Sequence, residues 1–256
     1  MLNQHNLSVP GEVRVIPLLG LPELEEDDDL AGLLADACSR AGGLEEGDVI
    51  VVAQKAVSKV EGRIVRLEDV EPSARAVELA GEDGDPRQVE VILRESVEVV
   101  RSRPPLVISQ TSHGFVCASA GVDASNAKGP GTVILLPLDP DVSAARLRDW
   151  LAKLTGITPG VIVSDSFGRA WRQGTTDVAL GVSGIVALRD LRGTTDSQGY
   201  ELRSTVIAVA DEIAGAAELV MGKANGVPAA IVRGVDTPGN GRAAEIVMPR
   251  ERDLFR

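Results

Sequence analysis

Ser164, Asp165 and Ser166, followed by Arg169 and Arg172, are the residues whose types and spacing most directly suggest chemistry. A carboxylate beside hydroxyls at a strand end can hold a hard divalent cation through oxygen. Guanidinium groups next to them suit phosphate or carboxylate. Together they read as metal-assisted chemistry on an anion. The apolar run at 160–163 reads as a buried strand that delivers the three residues into a turn closed by Gly168.

Three further segments offer groups of the same kind. Gln54, Lys55, Ser58 and Lys59 directly follow an apolar run at 48–53. Two lysines four apart can face one anion, and the same spacing also suits an ordinary solvated helix start. Residues 118–129 are mostly small and include Asp123, Asn126 and Lys128. Small residues let a ligand approach the backbone closely. Asp123 suits a metal and Asn126 a base or sugar, while a simple Asx turn explains the same residues. Asp211 and Glu212 open an apolar-periodic segment that runs into a glycine-rich loop at 221–228. That loop suits a phosphate or a base, or serves only to end a helix.

Composition narrows the choice. The chain has 256 residues, 44% hydrophobic and 25% charged, as expected of a globular protein with a sizeable core. A net charge of −12 and 2% aromatics disfavour nucleic acid, which needs basic surface and stacking platforms. No apolar run reaches the roughly 18 residues of a membrane span. The polar start, residues 1–11, lacks an apolar signal core, so the cytoplasm is the expected location. Cys38 and Cys117 form no paired motif and read as buried thiols. With His5 and His113 the only histidines, zinc is disfavoured, and oxygen ligands point to magnesium or manganese. His113 reads as structural. Lys223 is followed by Ala224 and lacks the upstream glycine of a phosphate-binding P-loop, and no G-x-G-x-x-G follows a strand.

The elements that must position these groups follow from periodicity. Strands are expected at 13–17, 48–53, 106–110, 114–118, 132–136 and 229–232, and extended chain at 202–209. Helices are expected at 30–41, 87–100, 143–154 and 211–220, with a loop at 82–87. The first helix places Leu30, Leu33, Leu34 and Ala37 on one face. The third places Leu147, Trp150, Leu151 and Leu154 on one face. Adjacent strands without intervening helices argue for a mixed α+β fold rather than a doubly wound sheet.

Taken together, residues 16–20, 47–63, 113–126, 164–174 and 210–234 resemble, in the same order, the GTP-dependent coenzyme F420-0:L-glutamate ligases. The likeness is strongest to the ligase part of the actinobacterial enzymes, which is often fused to a nitroreductase-like domain. A single ligase domain over 1–256, without that reductase, is expected. The resemblance implies two intertwined subdomains with mixed and antiparallel sheets, a homodimer, GTP, and two divalent cations (magnesium or manganese), with potassium a further candidate. It places GTP on Pro17, Leu18, Leu19, Gly20, Gln54, Lys55, Lys59 and Asn126. The loop of Met221, Gly222, Lys223, Ala224, Asn225, Gly226 and Val227 completes that set. It places metal on Asp123, Asp165 and Ser166. Archaeal members carry a metal-ligating Gln where this chain has Lys223, in a loop one residue shorter. A protonated ammonium cannot ligate a cation, so Lys223 suits a phosphate and the second metal lacks a ligand.

The implied reaction activates the acceptor carboxylate as an acyl phosphate, which the amine of L-glutamate attacks. Asp123, Asp165 and Arg169 are the expected catalytic residues, and no base for the amine stands out. Two readings compete: a metal-dependent phosphohydrolase acting on a nucleotide or phosphorylated metabolite, and a non-catalytic nucleotide-binding module.

Overall fold

A computed structural model describes residues 11–255, so residues 1–10, His5 among them, lie outside the described residues. In chain order the elements are β1 (Arg14–Pro17), α1 (Leu30–Arg40), β2 (Val49–Ala53), α2 (Gln54–Val60), β3 (Ile64–Arg66), α3 (Ala74–Ala80), α4 (Pro86–Arg94), β4 (Ser96–Arg103), β5 (Leu106–Thr111), β6 (Val116–Ala118), β7 (Thr132–Ile134), α5 (Pro140–Thr155), β8 (Gly160–Arg169), β9 (Arg172–Ser183), β10 (Arg189–Asp190), β11 (Val206–Ile207), α6 (Val209–Met221) and β12 (Ala229–Arg233).

A five-stranded sheet in the order β1-β12-β2-β8-β9 forms the centre. Only β2 and β8 are parallel; the other neighbours run antiparallel. A strand as uniformly apolar as β2 must be covered on both faces. Ile50 and Val52 pack with Val161 and Val163 against α1 and α5. Val49, Val51 and Ile162 pack against Ala210, Ala214 and Ala217 of α6. The alternation follows from the period of two along a strand. Each fully buried Val, Leu or Ile contributes about 1.5–3 kcal/mol. A third apolar cluster joins α3, α4 and the sheet β4-β5-β6 through Leu79, Val89, Ile92 and Val107. The fold is mixed α+β, as expected.

Local chemistry explains the helix ends. Asp29 accepts the Gly32 amide ahead of α1, and Asp139 accepts the Val142 amide ahead of α5. Gly156 closes α5 in the left-handed region at φ 76°.

Five expectations are corrected. The helix foreseen over 87–100 is two elements: α4 stops at Arg94 and β4 begins at Ser96. The valines at 97, 99 and 100 favour a strand once β5 is there to pair with it. In the loop foreseen at 82–87, Pro86 and Arg87 already belong to α4, because proline suits a first helical turn. Ser164, Asp165 and Ser166 are not in a turn closed by Gly168. β8 continues to Arg169 because the unforeseen strand β9 pairs along it. On α5, Trp150 and Leu154 are 55% and 53% exposed, and the buried face instead runs through Ala144, Leu147 and Leu151. Of the extended stretch at 202–209, only Val206–Ile207 is a strand, and Val209 opens α6.

Candidate functional site

β2 and β8 run parallel; β2 ends at Ala53 against Ser164, and β8 continues past it to Arg169. Ligand sites favour the carboxyl ends of parallel strands, where chains diverge and backbone groups are free of the ladder. A cleft of about 460 Å³ opens there, a size that accommodates a small-molecule ligand. Its walls are residues 21–24 before α1, the start of α2, the middle of β8 and β9, Asn126, and the end of α6 with the loop that follows.

Lys55, at the start of α2, reaches Asp123: Nζ lies 2.7 Å from Oδ2 and 2.5 Å from Ser125 Oγ. Asp123 also accepts the Ser125 amide at 2.7 Å and its hydroxyl at 2.9 Å. Burial alone would raise the Asp123 carboxyl; the Lys55 hydrogen bond and the Ser125 amide outweigh it and hold the group below its ordinary range. One turn on, Lys59 is buried apart from its ion pair with Glu23 on the rim. Lys223 Nζ stands 4.0 Å from Asp123 Oδ2. Asn126, at φ 57°, donates through Nδ2 to the Lys223 carbonyl at 3.4 Å and joins the two loops.

On β8, the adjacent residues Asp165 and Ser166 both line the cleft. Burial pushes the Asp165 carboxyl up to about 6; Asp177 and Asp123 add to the rise, against the Ser166 amide and the Lys55 charge. Ser164 and Ser166 both donate to the buried carboxylate of Asp177 on β9, at 2.8 and 2.7 Å. The cleft thus gathers three lysines and several carboxylates, each screened from water on at least one side.

The donor set fits a hard divalent cation. It consists of carboxylate and hydroxyl oxygens, and a cation would offset the burial that lifts Asp165 together with the smaller repulsion from Asp177 and Asp123. The adjacent Cys117 thiol is pushed up to about 12, chiefly by burial and then by Asp165, and offers no thiolate. Among the described residues, no three His, Cys, Asp or Glu side chains already converge on a metal position. Asp123 is engaged by Lys55 instead.

Gln54, Lys55, Lys59, Asn126, Asp165, Ser166, Met221, Gly222, Lys223, Ala224, Gly226 and Val227 line this one cleft. Other expected residues stand elsewhere. Gln54, although in the wall, gives its amide to Ser58 Oγ and the Leu135 carbonyl and is 1% exposed, so it acts as a brace. Leu18 is core, with its amide on the Ala229 carbonyl. Pro17 is in β1, and Leu19 and Gly20 lie on the chain that enters the wall at Leu21. Asn225 packs on Gly222 inside the loop. Arg169 and Arg172 are exposed at the far end of the β8–β9 hairpin, outside the cleft. Both cysteines are buried and unpaired, as expected. His113 faces the Pro137 and Leu138 carbonyls and stacks on Phe115, a structural role.

Sequence reasoning missed Glu23, Asp177 and Glu218 in the walls. Glu218 stands four residues after Ala214 and three before Met221, on the helical period, and could have been found from the expected helix. Asp177 could not, because its strand was not foreseen.

A family model described as F420-0:Gamma-glutamyl ligase matches residues 19–234. Similar curated proteins are named coenzyme F420:L-glutamate ligase. That of Methanopyrus kandleri is 46% identical over 251 residues, covering 95% of this chain and 98% of the relative. That of Archaeoglobus fulgidus is 45% identical over 246 residues, covering 95% and 96%. That of Methanocaldococcus jannaschii is 46% identical over 217 residues, covering 83% and 86%.

Proposed function

The chain belongs to the F420-0:gamma-glutamyl ligase family, and from that premise we propose that its cleft joins L-glutamate to coenzyme F420-0 at the expense of GTP. It is a ligase of coenzyme F420 biosynthesis. The observation that carries the finer reading is the convergence of Lys55, Lys59, Lys223, Asp165 and Ser166 on one cleft at the end of β2, with Asp123 held beside it by Lys55.

A carboxylate is a poor electrophile until one oxygen becomes a good leaving group. Transfer of the γ-phosphoryl group to the acceptor carboxylate makes an acyl phosphate. The glutamate amine then forms the amide bond, and inorganic phosphate departs. Lys55, Lys59 and Lys223 offset charge on the phosphates. Gly222 and Gly226, at φ 59° and 66°, shape a loop whose backbone a ligand can approach closely. Asp177 fixes the Ser164 and Ser166 hydroxyls in one orientation. Asp123, Asp165 and Ser166 would hold magnesium or manganese, which supplies charge neutralisation on phosphate oxygens. The far-end position of Arg169 removes the reason for a direct catalytic role within this cleft, and its partner there would have to come from substrate or a second copy. The intertwined subdomain arrangement, the homodimer and the single-domain extent of 1–256 belong to this same reading.

The test is product mass. Incubation with GTP, manganese, L-glutamate and F420-0 should add a glutamyl increment to the deazaflavin, and omission of any one should abolish it. GTP turnover that ignores glutamate and acceptor would favour the phosphohydrolase instead.

A further inference from the structure

β8 and β9 do not keep a simple register. Val163 pairs with Gly181, but the next residue, Ser164, pairs with Ala179, so Leu180 is an extra residue on β9. A bulge of this kind reverses the side-chain phase beyond it. Slid by that one residue, Ser166 would oppose Val178, and Asp177 would oppose Phe167 on the other face. With the bulge, Ser166 opposes Asp177, and both Ser164 and Ser166 donate to its carboxylate. The bulge is therefore what brings Asp177 to the serines.

A bulge also turns amides out of the ladder, and a buried amide without an acceptor is costly. Helix-borne carboxylates take up two amides that flank this one. Val182 donates to Asp141 Oδ1 at 2.8 Å, from the start of α5. Ala179 donates to Asp211 Oδ1 at 2.9 Å, from the first turn of α6. Asp141 also accepts from Ala243 and Arg242 and is a general brace of the fold. Asp211 acts on the cleft side of the bulge. One turn further along α6, Gly215 lies against β9, where a Cβ would sit 3.4 Å from Thr176 Oγ1 and 3.8 Å from the Asp177 carbonyl oxygen. The helix therefore backs the strand at Asp177 itself.

We propose that Asp211 is a positioning residue: by accepting the Ala179 amide it holds the β9 bulge that turns Asp177 toward Ser164 and Ser166. Its consequence for turnover rests on the ligase reading; the joint itself does not.

The experiment compares Asp211→Ala, Asp211→Ser and Asp211→Asn in the full chain, by backbone amide exchange and by ligation kinetics. Asparagine keeps an oxygen able to accept the amide; alanine and serine do not reach it. In the alanine and serine variants the Ala179 amide should lose protection while Val182 keeps its own. Their kcat should fall about 10- to 100-fold, as misplacement of reacting groups does, with the GTP KM nearly constant. Asparagine should restore both protection and most of the rate. Protection of Ala179 without Asp211, an unchanged kcat, or an asparagine variant as slow as alanine would overturn the proposal. So would loss of folding in both the alanine and serine variants, which would make Asp211 a stability residue only. If the wild-type protein forms no glutamylated product, the ligase reading fails, and the exchange pattern alone decides the joint.

Discussion

Lys55, in the cleft wall, and Asp123 hold each other, Nζ to Oδ2 at 2.7 Å, although one lies in the first turn of α2 and the other in the loop before β7. The pair ties the central sheet to the segment carrying β3–β7 and holds the Asp123 carboxyl below its ordinary range. The Lys55 charge also counters the burial that lifts Asp165.

Replacing this lysine should therefore damage more than one step. Lys55→Met should lower kcat/KM for GTP about 100-fold or more, the usual effect of losing a preorganised charge, while the fold persists. Steady-state kinetics with circular dichroism checks it. A loss below about threefold would mean that Lys55 serves Asp123 and not the nucleotide.

Glu23 is the solvent-facing member of the other pair: it is exposed on the rim, and Lys59 is buried. An incoming phosphate must take Lys59 from it. Exposed-partner ion pairs contribute roughly 0.2–1 kcal/mol, so Glu23→Gln should tighten GTP binding by about 1.5- to 5-fold. Calorimetric titration reads this directly; weaker binding would show that Glu23 contacts the ligand favourably.

Asp165 makes stability fall as pH rises. An unfolded aspartate titrates near 4, whereas burial, followed by the neighbouring carboxylates, raises this one to about 6. The folded state binds the extra proton between those values. Its contribution is complete below about pH 4 and is lost as pH climbs through about 6, an effect of at most about 3 kcal/mol. Asp165→Asn should flatten the melting temperature across pH 4–7 and raise it at pH 7, while abolishing ligation. Manganese should stabilise the wild type more at pH 7 than at pH 5. A wild-type melting temperature that rises steadily from pH 4 to 7 in metal-free buffer would contradict this assignment.

Much of this arrangement was legible in the sequence, for stated reasons. The apolar runs at 48–53 and 160–163 show a buried strand plainly, and the lysines after the first run carry charge where a strand ends. The misreadings were tertiary. The valines of β4 became strand only because β5 pairs with them, and Trp150 with Leu154 fits a helical stripe that the sheet does not cover. Asp177 was hidden most deeply. Its place beside Ser166 depends on one extra residue, Leu180, and a bulge leaves no periodic mark.

The exposed ammonium of Lys223 stands 4.0 Å from Asp123. Lys223→Gln should raise the GTP KM about 3- to 10-fold, as a net loss of roughly 1 kcal/mol does when an amide replaces the ammonium, and should lower the manganese concentration for half-maximal rate. No change in either would mark Lys223 as a solvated loop residue.

The central claim is that the cleft activates the acceptor carboxylate by phosphoryl transfer. Ligation of F420-0 labelled with oxygen-18 in its carboxylate, followed by mass analysis of the released phosphate, tests it most directly. One labelled oxygen should appear in inorganic phosphate for each glutamate joined. Glutamylated product accompanied by unlabelled phosphate would contradict the account.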